Sequence, residues 1–555
     1  MKRLFIIASL VLVLSACSER AAEKAEDSPQ QATATGTESL GLITQENMLA
    51  HLEYLASDDL EGRDAGTPGY DLAAKYVAEQ FAAIGLEPGG SEGWYQPVEL
   101  QSYIIDTDSP QMTIHRDEGD VELGYREEFL MYGDRVRAEN TVRGEVVYVG
   151  HGVHAPELGY SDLDGLDLEG KIVAVFSGGP QIIKGDKLAH YSSSRTKNAE
   201  FVKRGVVGTI SLYRRKSEKS FPWERATKTS GKKPSMTWVT TSGEAANYYP
   251  GIQVSAVWSP EYARELFATT PIGFEEARDK TEASEVASVP LGFEVSMSRR
   301  TIHERITSPN VIGMLRGSDP ELADEYIVYT AHLDHTGRTS APVDGDDINN
   351  GMYDNAMGTA IMIEAARALA ANPPRRSILF VALTAEEKGL LGSDYFANYP
   401  TVPSDSIVAN VNMDMPLFLF PVTEMVAFGA EHSSLGAVAE VAATAEGFTL
   451  VPDQMPEEIL FSRSDQFSFV RQGITAIWLD SSIESSDPDV DGPAVIADHL
   501  ENHYHKPSDD LTRPIVWENA LSFTRANARI GWGVGNADER PTWNDDSFYG
   551  NLYAK

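Results

Sequence analysis

The stretch "YTAHLDHTG", Tyr329–Gly337, begins as a buried strand and ends in three side chains that can bind metal. His332, Asp334 and His335 follow the apolar or small residues directly. In parallel α/β sheets, ligands bind outside the carboxyl ends of the strands. The stretch therefore predicts a site at a sheet edge, provided that other polar side chains converge on it.

Further strand-like segments lie downstream. "SILFVALT" (377–384), "IVANVNMDM" (407–415) and "ITAIWLD" (474–480) are almost continuously apolar, and helical segments such as "AMGTAIMIEAARALAAN" (356–372) separate them. This alternation is typical of strands buried on both faces. It predicts an α/β domain with a mixed, largely parallel sheet flanked by helices.

Acidic residues and histidines follow these strands or begin the next helix. The set comprises His332, Asp334, Asp354, Glu386, Glu387 and Asp414. Grouped carboxylates repel one another unless a positive charge lies among them. Imidazole and carboxylate donors without cysteine favour a catalytic zinc site over a structural one. Singly, Asp354 could equally be a helix N-cap and the glutamates first-turn acids, so only their joint occurrence favours metal.

A further imidazole comes from "NHYHKPSDD", which contains His503 and His505. His332 and His505 could each bind one of two metals, with Asp354 as a bridge. One of the two adjacent glutamates could bind metal while the other acts as general base. Asp334 could accept the second imidazole proton of His332. No metal role is assigned to His335, Asp346, Asp347, His499 or His503.

Composition limits the other possibilities. The chain has 555 residues, enough for more than one domain, and a formal net charge of −37. Such a charge disfavours nucleic acid as a partner, and we interpret it as a solubilising surface.

The first residues, "MKRLFIIASLVLVLSAC", predict export. A basic start precedes a short apolar stretch, and the ending resembles a bacterial lipobox. Residues 1–16 would be the signal peptide and Cys17, the only cysteine, the lipidated residue. Residues 17–40 would be the lipidated cysteine and a disordered tether. We therefore expect an exported bacterial lipoprotein, anchored by its lipid to a periplasm-facing or cell-surface membrane, the outer membrane in a Gram-negative cell.

The remaining segments differ in composition and in the pattern of their apolar residues. Residues 41–140 are interpreted as the N-terminal part of the catalytic domain, 141–298 as an inserted β-rich module, 299–540 as the catalytic domain and 541–555 as a tail. Residues 214–233 hold eight Lys or Arg and two Glu, and we interpret this basic segment as a solvated hairpin.

Several motifs together resemble the M28 zinc peptidases, which are mostly aminopeptidases. They are, in order, "SPNVIGMLRGS", "AHLDH", "GMYDNAMGTA", "LTAEEKGLLGS", "NMDM", "SRSDQFSF", "GITAIWLD" and "YHKPSD". The segment beginning "EVVYVGHGVHAPELGYSDLDG" resembles a protease-associated (PA) domain inserted into the peptidase domain. The resemblance implies the zinc exopeptidase fold.

The resemblance also implies residue roles. His332, Asp354 and Asp414 would bind one Zn²⁺, and Asp354, Glu387 and His505 the other. Glu386 would be the general base and Asp334 the carboxylate behind His332. Gln466 stands where many relatives have His, a difference that bears on substrate preference.

Three functions remain open from the sequence. The leading one is a two-zinc exopeptidase that acts on peptides with a free N-terminus, where Asp465 and Asp480 are candidates for binding the ammonium group. The alternatives are a glutaminyl-cyclase-like acyltransferase with one zinc and a non-catalytic peptide-binding homologue. Metal stoichiometry separates the first two, and loss of the base or a ligand would mark the third.

Overall fold

The computed structural model describes residues 37–555. Its helices, in chain order, are α1 Thr37–Leu40, α2 Gln45–Leu55, α3 Pro68–Ile84, α4 Gly185–Ser192, α5 Ser194–Lys203, α6 Arg215–Ser220, α7 Trp223–Thr229, α8 Pro260–Phe267, α9 Phe274–Glu282, α10 Gly358–Ala371, α11 Leu391–Asn398, α12 Leu435–Ala445, α13 Gln466–Val470, α14 Gly492–Asn502, α15 Trp517–Asn536 and α16 Phe548–Tyr553.

The strands occupy the same described range. They are β1 Glu87–Pro88, β2 Tyr95–Ile105, β3 Gln111–His115, β4 Val121–Glu122, β5 Phe129–Met131, β6 Glu139–Tyr148, β7 His154–Ala155, β8 Tyr160–Ser161, β9 Ile172–Phe176, β10 Gly208–Leu212, β11 Ser235–Trp238, β12 Val254–Trp258, β13 Val289–Leu315, β14 Tyr326–His332, β15 Arg338–Val343, β16 Asp346–Ile348, β17 Ser377–Leu383, β18 Ile407–Asn412, β19 Glu424–Phe428, β20 Thr449–Val451 and β21 Ala476–Ser481.

The central sheet runs in the order β20-β19-β21-β18-β14-β17-β13-β2-β11. Its four middle strands, β21, β18, β14 and β17, are mutually parallel, and antiparallel strands flank them. The predicted α/β class with a mixed sheet, largely parallel at its centre, is therefore confirmed.

The middle strands are buried on both faces, as their apolar runs predict. In β14, Ile327 and Tyr329 belong to a core shared with α3, α10 and α15. Tyr326 and Val328 point to the opposite face, where they join a core that includes Phe396 of α11. Successive side chains alternate between faces, so helices cover both sides of the strand that carries His332.

A second sheet runs in the order β4-β3-β13-β6-β9-β10-β12-β5 and has a separate apolar core. The predicted limits, 141 and 298, do not coincide with its edges. The strands β3–β5 precede residue 141 but pair within it, and β13 continues without interruption into the central sheet. In addition, β11 pairs with β2 at the edge of the central sheet. The assignment to the PA family stays a prediction.

A buried carboxylate, Asp394, connects the inserted segment with the catalytic domain. Asp394 of α11 accepts hydrogen bonds from Arg195 of α5 (3.2 Å), Trp238 (3.0 Å), Asn247 (3.1 Å) and Arg471 (3.0 Å). Three of these donors come from the inserted segment, so Asp394 fixes that segment against the catalytic domain.

Three expectations differ from the structure at the periphery. The last residues of the predicted disordered tether form α1, and Leu40 is buried. The predicted tail contains α16, whose Tyr549 packs into an aromatic cluster. The basic segment forms two short helices, α6 and α7, instead of a hairpin, and its exposed Arg215 pairs with acidic side chains of α9.

The predicted signal peptide and Cys17 lie outside the described residues. Within residues 37–555, no helix is long and apolar enough to cross a bilayer.

Candidate metal centre

The predicted polar residues meet at one edge of the central sheet. In the parallel register, His332 of β14 lies beside Leu383, the last residue of β17, and Thr330 lies beside Asn412, the last residue of β18. Glu386 and Asp414 follow those strand ends within a few residues. The carboxyl ends of three adjacent strands therefore bring these side chains together.

The first group of donors is His332, Asp354 and Asp414. His332 Nε2 lies 3.2 Å from Asp354 Oδ1 and 3.2 Å from Asp414 Oδ1. All three side chains are buried. Ser464 Oγ donates to the other oxygen of Asp414, which fixes the orientation of that carboxylate.

The second group is Asp354, Glu387, His505 and His335. His505 Nε2 lies 3.0 Å from Asp354 Oδ2 and 3.1 Å from Glu387 Oε2. His335 Nδ1 lies 2.9 Å from Glu387 Oε1 and 3.6 Å from Asp354 Oδ2. Asp354 thus directs one oxygen at each group, the arrangement of a carboxylate that bridges two ions.

The spacing of these donor atoms suits metal coordination better than hydrogen bonding between the side chains. Ligand atoms held ~2.0–2.1 Å from a tetrahedral zinc lie ~3.3 Å apart, close to the spacings observed. Several donor atoms are buried yet make no hydrogen bond, namely His335 Nδ1 and Nε2, Asp354 Oδ2, Glu387 Oε1 and His505 Nε2. Buried polar atoms without partners are uncommon, and an ion would satisfy the atoms that face the centre.

The carboxylates favour positive charge on the histidines. Burial acts to lower the pKa of His332, but Asp414 and Asp354 outweigh it and raise that pKa well above its usual value. Burial likewise acts against His505, whereas Asp354 and Glu387 raise its pKa to about 10. A field that holds protons on imidazoles also favours a divalent cation, which replaces those protons on binding.

Glu386 belongs to neither donor group but lies beside both. Burial raises the pKa of its carboxyl well above the usual value, and the nearby charge of Asp414 acts in the same direction while His332 opposes it. Asp334 holds the adjacent main chain, since its two oxygens accept the amides of Glu386 (3.0 Å) and Glu387 (3.3 Å). Its carbonyl oxygen, instead of the expected carboxylate, lies 3.1 Å from His332 Nδ1.

The backbone is strained at the loops that carry these side chains. Ala385 (φ 54°), Met415 (φ 48°) and His505 (φ 57°) adopt the left-handed conformation. Non-glycine residues pay about 1–3 kcal/mol for such geometry, and they cluster at functional sites. The surrounding contacts must therefore hold the loops in place.

Arg63 provides such contacts, and the sequence interpretation missed it. Its buried guanidinium donates to the carbonyls of Leu333 (3.0 Å), Asn350 (2.6 Å) and Gly351 (3.1 Å), and its own carbonyl accepts the amide of His335 (3.2 Å). The glycine-rich turn between α2 and α3 thus braces both metal-binding loops. The role of Arg63 is visible only in the folded structure, because the sequence does not show that this turn lies against those loops.

The structure also gives a place to residues that had received a weaker interpretation or none. The sequence assigns no metal role to His335, yet this side chain lies fully buried in the second group. Asp465 is fully buried and its carboxylate oxygens make no hydrogen bond, whereas Asp480 near the end of β21 is half-buried. Gln466 is buried and accepts a hydrogen bond from Asn412 (2.8 Å), a structural contact.

Known proteins resemble this chain over its catalytic part. Residues 310–530 match the family model described as Peptidase family M28. A "Probable zinc metalloprotease" of Pyrenophora tritici-repentis (strain Pt-1C-BFP) is 31% identical over 146 residues, covering 26% of this chain and 32% of that protein. "Aminopeptidase YwaD" of Bacillus subtilis (strain 168) is 28% identical over 225 residues, covering 38% of this chain and 45% of that protein. The chain therefore spans less than half the length of these curated relatives.

A solved structure resembles nearly the whole chain. "Aminopeptidase from Aneurinibacillus sp. strain AM-1" aligns with a TM-score of 0.53 at 18% identity and covers 91% of this chain and 97% of that one. This likeness shows the fold. A parallel-centred sheet with carboxylates and histidines at its strand ends is an arrangement typical of metal-dependent α/β proteins. The match of residues 310–530 to the Peptidase family M28 model agrees with the resemblance predicted from the sequence.

Proposed function

We propose that this protein is a zinc-dependent exopeptidase that removes N-terminal residues from peptides and uses two zinc ions. The observation that carries the proposal is Asp354, whose two oxygens serve two separate donor groups. One carboxylate shared in this way is typical of sites that bind two metals. The zinc metalloproteases and aminopeptidases among its relatives support the same chemistry.

The chain's own residues have distinct roles in this proposal. His332 and Asp414 would hold one ion and Glu387 and His505 the other, with Asp354 between them. Bound zinc supplies the Lewis acidity that polarises a peptide carbonyl and activates water. Glu386 takes the proton from the attacking water and delivers it to the leaving amine.

Asp480 is the carboxylate that would bind the ammonium group of the substrate's free N-terminus. This carboxylate is half-buried at the strand edge, near the charges of Asp414 and Asp453, and burial raises its pKa to about 8. An ammonium group would offset this accumulation of negative charge. Asp465 is fully buried, so Asp480 is the more accessible of the two carboxylates.

The experiment is a comparison of matched peptides with free and acetylated N-termini, incubated with the zinc-loaded protein. We expect hydrolysis of the free peptides only, abolished by a chelator and restored by zinc. Equal cleavage of both sets, or cleavage that persists in excess chelator, contradicts the proposal. Formation of pyroglutamate from an N-terminal glutamine without peptide cleavage would instead favour the glutaminyl-cyclase-like alternative.

A further inference from the structure

We propose that His335 is a third imidazole ligand of the metal centre, so that the two metal positions differ in donor number. This inference rests on the proposed two-zinc function and deepens it. The position formed by Asp354, Glu387, His505 and His335 would have four protein donors, whereas His332, Asp354 and Asp414 supply three.

Geometry separates His335 from a histidine that merely fills the core. His335 Nδ1 lies 2.9 Å from Glu387 Oε1 without making a hydrogen bond, and it lies within 3.6 Å of Asp354 Oδ2. His499 provides a contrast, because it is equally buried and both its ring nitrogens are also unpartnered. His499 nevertheless belongs to neither donor group. Burial alone therefore does not explain the position of His335.

The backbone makes room for this ring. Gly351 has φ 60°, and a Cβ there would lie 2.6 Å from both Cγ and Cδ2 of His335. The amide of His335 donates to Arg63, and the guanidinium of Arg63 in turn donates to Gly351. The main chain on either side of the imidazole is thus fixed by one buried arginine.

The difference in donor number has a chemical consequence. Four protein donors complete the tetrahedral set that zinc prefers, whereas three leave a position open, as in catalytic sites. We therefore assign tight metal retention to the His335 position and easier exchange to the His332 position. Removing His335 should make the two positions alike.

X-ray absorption at the zinc edge tests the ligand directly. In protein loaded with two zinc ions, three histidines shared by two ions give an average of about one and a half imidazoles per zinc. His335→Ser should lower that average to about one, and His499→Ser should leave it unchanged. An average of one in the wild type overturns the proposal even if His335→Ser does not fold.

Zinc retention against a competing chelator supplies an independent readout. The wild type and His499→Ser should retain one zinc under conditions that remove the other, and His335→Ser should lose both. Replacing a residue that only hydrogen-bonds to a metal ligand typically weakens metal affinity by about 10–100-fold. Loss of His335 as a ligand should therefore weaken zinc binding at the tighter position by at least that factor. If His335→Ser keeps the zinc affinity and the imidazole average of the wild type, the inference is wrong and the proposed function still stands. If the zinc-loaded wild type cleaves no peptide, the proposed function is wrong. The number of imidazole ligands per zinc still tests the role of His335 in that case.

Discussion

Asp334 accepts the main-chain amide of Glu386 at 3.0 Å through one carboxylate oxygen, while its other oxygen accepts the amide of Glu387 at 3.3 Å. A fully buried side chain on one strand end thus sets the position of two adjacent glutamates on the next. In the proposed mechanism these glutamates have different roles, so loss of this contact should affect both metal binding and proton transfer.

Asp334→Asn should impair this arrangement. The asparagine side chain can accept one amide but turns its own NH₂ towards the other, and an unsatisfied buried donor costs about 1–3 kcal/mol. We expect the free energy of unfolding to fall by about that amount in chemical denaturation. Turnover should fall as well, because a displacement of ~1 Å in a catalytic group can cost ~10²-fold.

Asp134→Asn is the control, since Asp134 also accepts two main-chain amides, those of Val136 (2.7 Å) and Arg137 (2.8 Å), but pairs with Arg299 and belongs to neither donor group. It should lower stability but leave turnover per folded molecule unchanged. Unchanged turnover in Asp334→Asn would contradict the positioning role.

Glu386 and Glu387 should give different phenotypes when each is replaced by glutamine. Glu386→Gln removes a proton acceptor without changing shape, and positioned bases typically contribute ~10²–10⁴-fold to rate. Turnover should fall by about that factor while zinc content, measured by elemental analysis, stays the same. Glu387→Gln should instead lose zinc and regain some activity when zinc is added in excess. The reverse pattern would exchange the two roles.

Asp394 should make the attachment of the inserted segment sensitive to acid. Burial acts to raise the pKa of Asp394, but Arg471 and Arg195 outweigh it and bring the pKa to about 2, below the ordinary 3.8. The carboxylate thus contributes stability above about pH 4 that is lost as the pH falls towards 2. A shift of about 2 units corresponds to about 2–3 kcal/mol.

Unfolding experiments from pH 7 to pH 2 on the wild type and Asp394→Asn test this contribution. The variant should be less stable at pH 7, and the difference should shrink in acid. Asp538→Asn is the control, because Asp538 pairs with Arg375 at 2.7 Å but is largely exposed, and such pairs contribute about 0–1 kcal/mol. A stability difference between wild type and Asp394→Asn that does not vary with pH would contradict the assigned pKa.

The anchor at Cys17 stays a prediction, because Cys17 lies outside the described residues. Cys17→Ser should release the protein from membranes, since a lipid chain is the only anchor that the predicted tether would carry. Fractionation of cells that express either form measures the effect. Continued membrane association of normally processed Cys17→Ser protein would exclude lipidation as the anchor.

The sequence predicted the sheet well because its central strands are buried on both faces. Such strands read as continuous apolar runs, and their carboxyl ends locate a site without further information. The polar residues that follow β14, β17 and β18 therefore converge as the sequence implied. The family resemblance rests on the same segments.

The errors arose where long-range contacts decide the structure. The motif "HLDH" does not show where the side chain of its second histidine, His335, points. The main chain of His335 contacts Arg63, which lies more than two hundred residues earlier in the chain. The basic segment forms two short helices instead of a hairpin, and its exposed Arg215 pairs with acidic residues of α9 that are distant in sequence. The edges of the second sheet differ from the predicted limits of the inserted module because β13 serves both sheets.

Titration of the metal-free protein with zinc, with peptide hydrolysis recorded at each addition, tests the central claim most directly. The account predicts two bound zinc ions per chain, with full activity reached only when the second position fills. Full activity at one zinc per chain, with no second ion bound, would contradict the two-metal centre built around Asp354.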